Sequence, residues 1–448
     1  MSDVEESEQV LFQGPMFGRE ANLKKNPRLV QAGLIPVKRM ISDALSRRAH
    51  SVVTESKGPR LIVRFVVDGI AYPAGAFPGK QGVAIVQIVK LLSGLDVQSR
   101  VKPQKGGILA EFNGQEYRLL VDTLPIKGAM ERLRIRVEDP RESFVTPTEV
   151  SFPAQLKTKL QTMSSPPPGD DASGIILSCG GPESGVTSLS LVAMHCMDPY
   201  LYSVFNFADV GEKRLVNVSD SDDEPGIDLE IRLDRVIRRE GDAVYLGKFD
   251  DPQQVQLVFD YCDRLCFFGE MAARTPADAV RQLIDWVGTD KVLSGLKAVI
   301  SQKLIRRLCK DCKQAFRPRP QLLKQLGLPP ETTVLYRAPV PPPEDHAEAL
   351  SVEELCAKCN GSPYHGRVAA YEVFEMTDEM KEVIAESGDV KAIRKQMNTE
   401  KQLTMQRDAL RLVVNGTTSL EEVKRVFTSP RGGQDKRRPV NPRPRHRQ

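Results

Sequence analysis

The sequence predicts an α/β protein in two folded parts. A small N-terminal α/β domain leads into a parallel-sheet domain, which carries an inserted four-cysteine module and closes in helices. Three observations point there. The run Ile175-Ile176-Leu177-Ser178-Cys179-Gly180-Gly181-Pro182-Glu183-Ser184-Gly185-Val186-Thr187 reads as a buried strand, a glycine loop and a helix start. Strands and helices alternate beyond it, which favours a parallel sheet with helices on its faces. Two C-x-x-C pairs, Cys309/Cys312 and Cys356/Cys359, stand late in the chain.

Composition narrows the classes. With 448 residues, 40% apolar, and a net charge of +4, most of the chain has the make-up of a folded protein. No stretch approaches the roughly 20 apolar residues that span a bilayer, and no charged-apolar-small leader opens the chain. The expected location is cytoplasmic. Eight cysteines in a chain of this length make no disulfide scaffold, so their clustering in a reducing compartment points to metal.

Taken in order, residues 1–40 are polar and punctuated by Gly and Pro, and read as an extended or disordered lead-in. Val10-Leu11-Phe12-Gln13-Gly14-Pro15 matches the recognition site of a viral protease used to remove expression tags; a remnant before a native Met16 and a coincidence are both open. Residues 41–140 form the first domain. Leu61 to Val67 is β-branched and closes on the turn dipeptide Asp68-Gly69. Residues 83–95 carry apolar side chains at helical spacing, strands follow around Ile108 and Tyr117, and Leu133 to Val137 alternates strictly. A linker over 141–172 contains a Pro/Ser/Asp-rich run. The core domain over 173–308 has strands at 202–207 and 265–268 and a helix at 276–287, with residues 219–224 read as an acidic exposed loop.

Residues 309–360 read as a zinc module. Four thiolates from two knuckles close a tetrahedral shell around Zn²⁺, which makes the role structural rather than catalytic. Cys179, Cys196, Cys262 and Cys266 lie among apolar residues without a second knuckle and read as core. Residues 361–428 read as helical, with amphipathic stretches at 376–397 and 403–414, a stop at Asn415-Gly416, and a capping box from Thr418 to Glu421. The tail, 429–448, is basic and reads as disordered and solubilising, with no specific nucleic acid expected.

The glycine loop carries the main chemical signal. Gly180 and Gly185 keep the G-x-x-x-x-G spacing of a phosphate loop, and Thr187 keeps the hydroxyl that would meet Mg²⁺. Val186 stands where the phosphate-binding lysine belongs. Phosphoryl transfer is catalysed mainly by positioning and charge neutralisation, so this loss should cripple ATP hydrolysis. Backbone N–H groups and the helix dipole remain, whereas Glu183 adds negative charge beside any phosphate. The expectation is weak or absent binding of ATP and Mg²⁺.

Together these segments resemble the type II secretion protein E and type IV pilus assembly or retraction motor family, in order over roughly residues 40 to 428. The resemblance is carried by Arg64-Phe65-Val66-Val67-Asp68-Gly69, Leu92-Ser93-Gly94-Leu95-Asp96-Val97, Lys102-Pro103-Gln104-Lys105-Gly106 and Asp122-Thr123-Leu124-Pro125 in the first domain. In the second it is carried by Ala208-Asp209-Val210-Gly211-Glu212, Leu265 to Glu270, Ser301 to Cys309 and Cys359 to Arg367. It implies a RecA-like core. It also implies aspartate-box carboxylates at Asp209 and Glu212, a water-orienting glutamate at Glu270, and a nucleotide-proximal arginine at Arg136.

The departures from that family are as informative. Beyond Val186, the family's histidine box has no counterpart, the segment from Glu270 to Cys309 is shorter than the family's, and Met271-Ala272-Ala273-Arg274 replaces an arginine-aspartate pair. Gly107 takes the place of a further arginine. The resemblance with these losses implies a catalytically degenerate homologue of the motor. Such a chain would be a zinc-stabilised assembly or regulatory subunit, forming homo- or hetero-oligomers or docking on motor ATPase subunits or the inner-membrane platform protein, peripheral to the inner membrane. The alternative is an active but unorthodox ATPase for secretion, pilus assembly or DNA uptake, in which Arg136, Lys213 or another subunit supplies the missing cation.

Overall fold

The computed structural model describes residues 9–57, 60–126, 131–140, 146–150, 152–165, 173–198, 200–211, 213, 215–220, 226–339 and 356–428. Its first domain runs β1 (Leu11–Pro15), α1 (Pro27–Ser46), β2 (Ser51–Lys57), β3 (Arg60–Val67), β4 (Ile70–Pro78), α2 (Gly79–Leu92), β5 (Gln104–Phe112), β6 (Gln115–Pro125) and β7 (Glu131–Glu138). The strands form one antiparallel sheet in the order β1-β5-β6-β7-β2-β3-β4. One-sided burial sets the pattern: Leu61, Val63, Phe65 and Val67 of β3 are buried while their alternates are not. Those side chains pack on Ile41 and Ala44 of α1 and on Ile85, Ile88 and Val89 of α2. Asp68 and Gly69 both take positive φ, the two-residue turn expected at that dipeptide.

The lead-in expectation is corrected here. Leu11–Pro15 pairs with β5, Val10 is fully buried, and α1 occupies 27–46. Val37, Met40, Ile41, Ala44 and Leu45 recur at helical spacing and bury one stripe, which outweighs the break that Pro36 suggested. The linker is corrected in part: α3 (Ala154–Ser164) lies within it, burying Leu156 and Leu160, and residues 166–172 lie outside the described set.

The second domain continues with β8 (Gly174–Cys179), α4 (Val186–Met194), β9 (Val204–Asn206), β10 (Val218–Asp220), α5 (Leu229–Arg238), β11 (Ala243–Lys248), α6 (Pro252–Tyr261), β12 (Cys266–Met271), α7 (Pro276–Val287), α8 (Thr289–Gly295) and β13 (Leu296–Leu308). The four-cysteine segment adds β14 (Gln314–Phe316), α9 (Pro320–Leu326) and β15 (Leu335–Arg337). Then follow β16 (Tyr364–Glu375), α10 (Asp378–Glu386), α11 (Val390–Thr399), α12 (Met405–Val414) and α13 (Leu420–Thr428). The sheet order is β10-β9-β11-β12-β8-β13-β16, parallel except for β16.

Every residue of β8 is buried, as a parallel strand covered on both faces requires. Ile175, Leu177 and Cys179 face one core with α6, α7 and α10; Ile176 faces the other with α3 and α4. The four lone cysteines are buried as expected.

Three further expectations change. Residues 364–375 are not helical but form β16, a long edge strand paired along β13. Ser219 and Asp220 belong to β10, while residues 221–224 lie outside the described set. The last helix is capped by Ser419, whose hydroxyl accepts from Glu422 N–H at 3.2 Å; Thr418 instead donates to the Arg306 carbonyl at 2.8 Å. The basic tail, 429–448, and residues 340–355 of the cysteine segment lie outside the described residues.

Candidate functional site

Strand register assembles the glycine loop's surroundings. Pairing of β12 with β8 sets Glu270 opposite Ser178, and pairing of β13 with β8 sets Ser301 opposite Cys179. Glu270 and Gln302 therefore leave neighbouring strands on either side of the loop that follows Cys179. Gln302 Nε2 donates to the carbonyls of Ser184 at 2.9 Å and Gly185 at 2.7 Å, clamping the loop's last turn. Ser184 Oγ donates to the Gly181 carbonyl at 2.7 Å. Gly185 caps α4 at φ +83°, a conformation that disfavours a side chain. At Gly180 a Cβ would come within 2.4 Å of Ser184 Oγ. Both glycines are required by the shape of the loop.

Thr187 lies in the first turn of α4, and its hydroxyl donates to Glu270 Oε2 at 2.7 Å. The structure thus brings together Gly180, Gly185, Thr187 and Glu270. Val186 occupies the first position of α4, so no ammonium rises from the helix there. Asp209 is exposed, with its carboxylate accepting from Gly211 N–H at 2.9 Å in a local turn, and Glu212 lies outside the described residues.

Arg136 is on β7, with Nε 3.6 Å from Asp122, on the face turned away from that domain's core. Two residues earlier on the same face, Arg134 makes the ion pair with Glu183 of the loop. The arginine that meets the loop is therefore Arg134, one pleat repeat from the expected position. Lys213 Nζ is 3.3 Å from Ser188 Oγ, also in the first turn of α4. Burial lowers the Lys213 pKa, opposed by the negative charges of Glu270 and Glu138.

Sequence reasoning missed Arg134 and Gln302. Strand pairing reveals Gln302, and no local motif marks it. Arg134 could have been noticed as an outward residue of the alternating strand.

At the second site, Cys309, Cys312, Cys356 and Cys359 place their ligand atoms within 4.8 Å of one another. The sulfurs of Cys309 and Cys356 are 3.8 Å apart, and those of Cys312 and Cys359 3.7 Å. Arms of about 2.3 Å from a tetrahedral ion give sulfur separations of about 3.8 Å, so the four residues fit a thiolate-bound Zn²⁺. Burial holds the thiols of Cys312 and Cys359 well above their ordinary range, so those two need a cation beside them to ionise, whereas at Cys356 burial is outweighed by hydrogen bonds from the second knuckle's backbone, which lower that thiol. The second knuckle turns back through Asn360 and Gly361, both at positive φ. Cys309 N–H donates to the Pro363 carbonyl at 2.9 Å, fastening one knuckle to the exit of the other.

Among the described residues no helix is long and apolar enough to cross a membrane. The chain is 24% identical over 396 residues to the type II secretion system protein E of Dickeya dadantii, covering 86% of this chain and 74% of that protein. It is 25% identical over 400 residues to the type IV pilus assembly ATPase PilB of Myxococcus xanthus, covering 86% of this chain and 66% of the relative. Among solved structures, the Legionella pneumophila ATPase DotB superposes with a TM-score of 0.55 at 14% identity, covering 88% of this chain and 96% of that one. The Yersinia pseudotuberculosis ATPase DotB does so at 0.52 and 12%, covering 86% and 91%. These likenesses speak to the fold. The family profile described as type II/IV secretion system protein matches residues 31–425, across both domains, the cysteine segment and the C-terminal helices, and the chain belongs to that family.

Proposed function

We propose that this chain is a catalytically degenerate homologue of the secretion and pilus motors, acting as a zinc-stabilised assembly or regulatory subunit of a type II secretion or type IV pilus system. The observation that carries this reading is Val186 at the start of α4, where a phosphate-binding ammonium would arise. A cationic clamp on a transferring phosphoryl group is worth several kcal/mol, on the order of the contribution of any single catalytic group. Glu270 and Thr187 remain, hydrogen-bonded to each other, but the stretch from Met271 to Leu308 holds no histidine. Retention of the four-cysteine cluster and the C-terminal helices alongside those losses supports a role in assembly. The partners proposed are motor ATPase subunits or the inner-membrane platform protein, met at the cytoplasmic face.

The test is steady-state hydrolysis of Mg–ATP by the full chain beside its Glu270→Gln variant. The expected result is no turnover above the variant's background. Steady turnover abolished by Glu270→Gln would overturn the proposal in favour of an unorthodox ATPase, a reading that the nearby ammonium of Lys213 favours.

A further inference from the structure

We propose that Lys213 is the cation of this phosphate loop, reaching a nucleoside di- or triphosphate from the segment after β9 in place of the missing lysine on α4. The proposal rests on the reading of the loop as a nucleotide site, and not on whether nucleotide is turned over.

The position of the ammonium carries the argument. Its only hydrogen bond among the described residues is to Ser188 Oγ at 3.3 Å, and no carboxylate there lies within 4.0 Å of it. An ammonium offers three donors, so one long bond leaves most of its capacity unused. Partial burial makes that costly, because a desolvated charge needs a counter-charge and hydrogen bonds.

The neighbourhood makes the cost larger. Ser188 is in the first turn of α4, where unpaired N–H groups and the helix dipole present positive charge. An ammonium at a helix N-terminus is repelled by it. The nearest negative influences come from opposite sides: Glu270 at the end of β12, and Glu138 at the end of β7 in the first domain. Two electropositive groups, the α4 N-terminus and Lys213, thus converge at the mouth of a glycine loop between two domains. One polyphosphate would satisfy both, and the Thr187 hydroxyl beside it is free to exchange Glu270 for a phosphate-bound Mg²⁺.

The geometry also explains how Val186 is tolerated. A lysine at position 186 would add a second ammonium to a turn that already receives one. Replacement of the helix lysine by an apolar residue is therefore the compensation expected when the cation comes from another segment.

The experiment is calorimetric titration of the full chain with Mg–ADP and Mg–ATP, using the parent, Lys213→Met, Lys213→Arg, Val186→Lys and the Val186→Lys/Lys213→Met double variant. Loss of one charge-assisted contact should weaken binding by about tenfold or more in Lys213→Met, whereas Lys213→Arg should stay within about threefold of the parent. In the Val186→Lys background, Lys213→Met should cost less than about threefold, because a second cation is then present. Thermal melts check folding, with Lys213→Gln as a second neutral variant should the methionine prove unstable. Equal affinities of the parent and both neutral variants would overturn the proposal. So would a parent that binds no nucleotide, whether or not Val186→Lys binds, and that result would leave the degenerate-subunit reading standing. Lys213-dependent binding accompanied by Glu270-dependent turnover would do the reverse.

Discussion

Glu422, 1% exposed, accepts from the Arg306 guanidinium at 3.0 and 2.7 Å and from Arg425 at 2.8 and 2.6 Å, and it takes the Arg306 backbone N–H at 3.1 Å. Arg306 in turn lies 4.0 Å over the Tyr364 ring. This network ties the last helix to the end of β13, just before the first cysteine knuckle. Burial by itself would raise the Glu422 pKa, but the hydrogen bonds and charges of Arg425 and Arg306 outweigh it and hold it at about 2, against an ordinary 4.5. The folded state therefore binds fewer protons than the unfolded state between those values. The resulting stabilisation, about 3 kcal/mol, is fully present above about pH 5 and is lost as the pH falls toward 2. Glu422→Gln leaves two guanidinium groups without their anion and should cost about 3–5 kcal/mol at pH 7. Urea denaturation of the parent and the variant at pH 7 and pH 3.5 checks this. A variant as stable as the parent, or with the same acid sensitivity, would contradict it.

β13 is the element that joins the two sites. Its first half pairs with β8 beside the glycine loop, Ala298 to Leu308 pair with β16, and it delivers Leu308 directly to Cys309. The four sulfurs fit one tetrahedral ion, so metal should hold the far end of this strand in place. Cys309→Ser should reduce metal content from one ion per chain to none and lower the melting temperature by several degrees, as about 2 kcal/mol or more does in a domain of this size. Elemental analysis and a thermal melt measure both; metal retained at parent stoichiometry would mean the cysteines are not its ligands.

The same strand marks what the sequence could and could not reveal. The four cysteines were legible because their spacing is local and their chemistry specific. The glycine loop was legible for the same reason, as was the place of Val186 at the head of the helix that follows it. Gln302 was hidden because its role depends on the pairing of β13 with β8, a long-range register that no short window contains. The strand β16 read as helix because Val368, Ala369, Ala370, Tyr371, Val373 and Phe374 do not alternate strictly, and only its partner strand settles its conformation. α1 was missed for a local reason: Pro36 interrupts a clean amphipathic stripe.

On the scale of the whole molecule, the two domains meet at the glycine loop through the outward face of β7. Arg134 holds Glu183, and beside them His50, the residue before β2, feels charges from both domains. Its backbone is fixed in the first sheet: its N–H donates to the Val66 carbonyl, and its carbonyl accepts from Val137, both at 3.0 Å. Burial first, and then Arg367 of β16 and Arg134, lower its pKa to about 4, against the opposing pull of Glu183 and Asp68. As the pH falls from 6.5, the unfolded imidazole takes up a proton before the folded one does. The folded state is therefore destabilised progressively between about pH 6.5 and 4, by about 2 kcal/mol once partial exposure is allowed for. His50→Asn keeps a polar side chain but cannot charge, so its loss of stability from pH 7 to pH 4.5 should be smaller than the parent's by roughly that amount. Measuring urea midpoints for both proteins at the two pH values isolates this contribution, because carboxylates and thiolates titrate alike in each. Equal pH sensitivity would mean that protonated His50 is accommodated where the domains meet, and that Arg367 does not face it across that boundary.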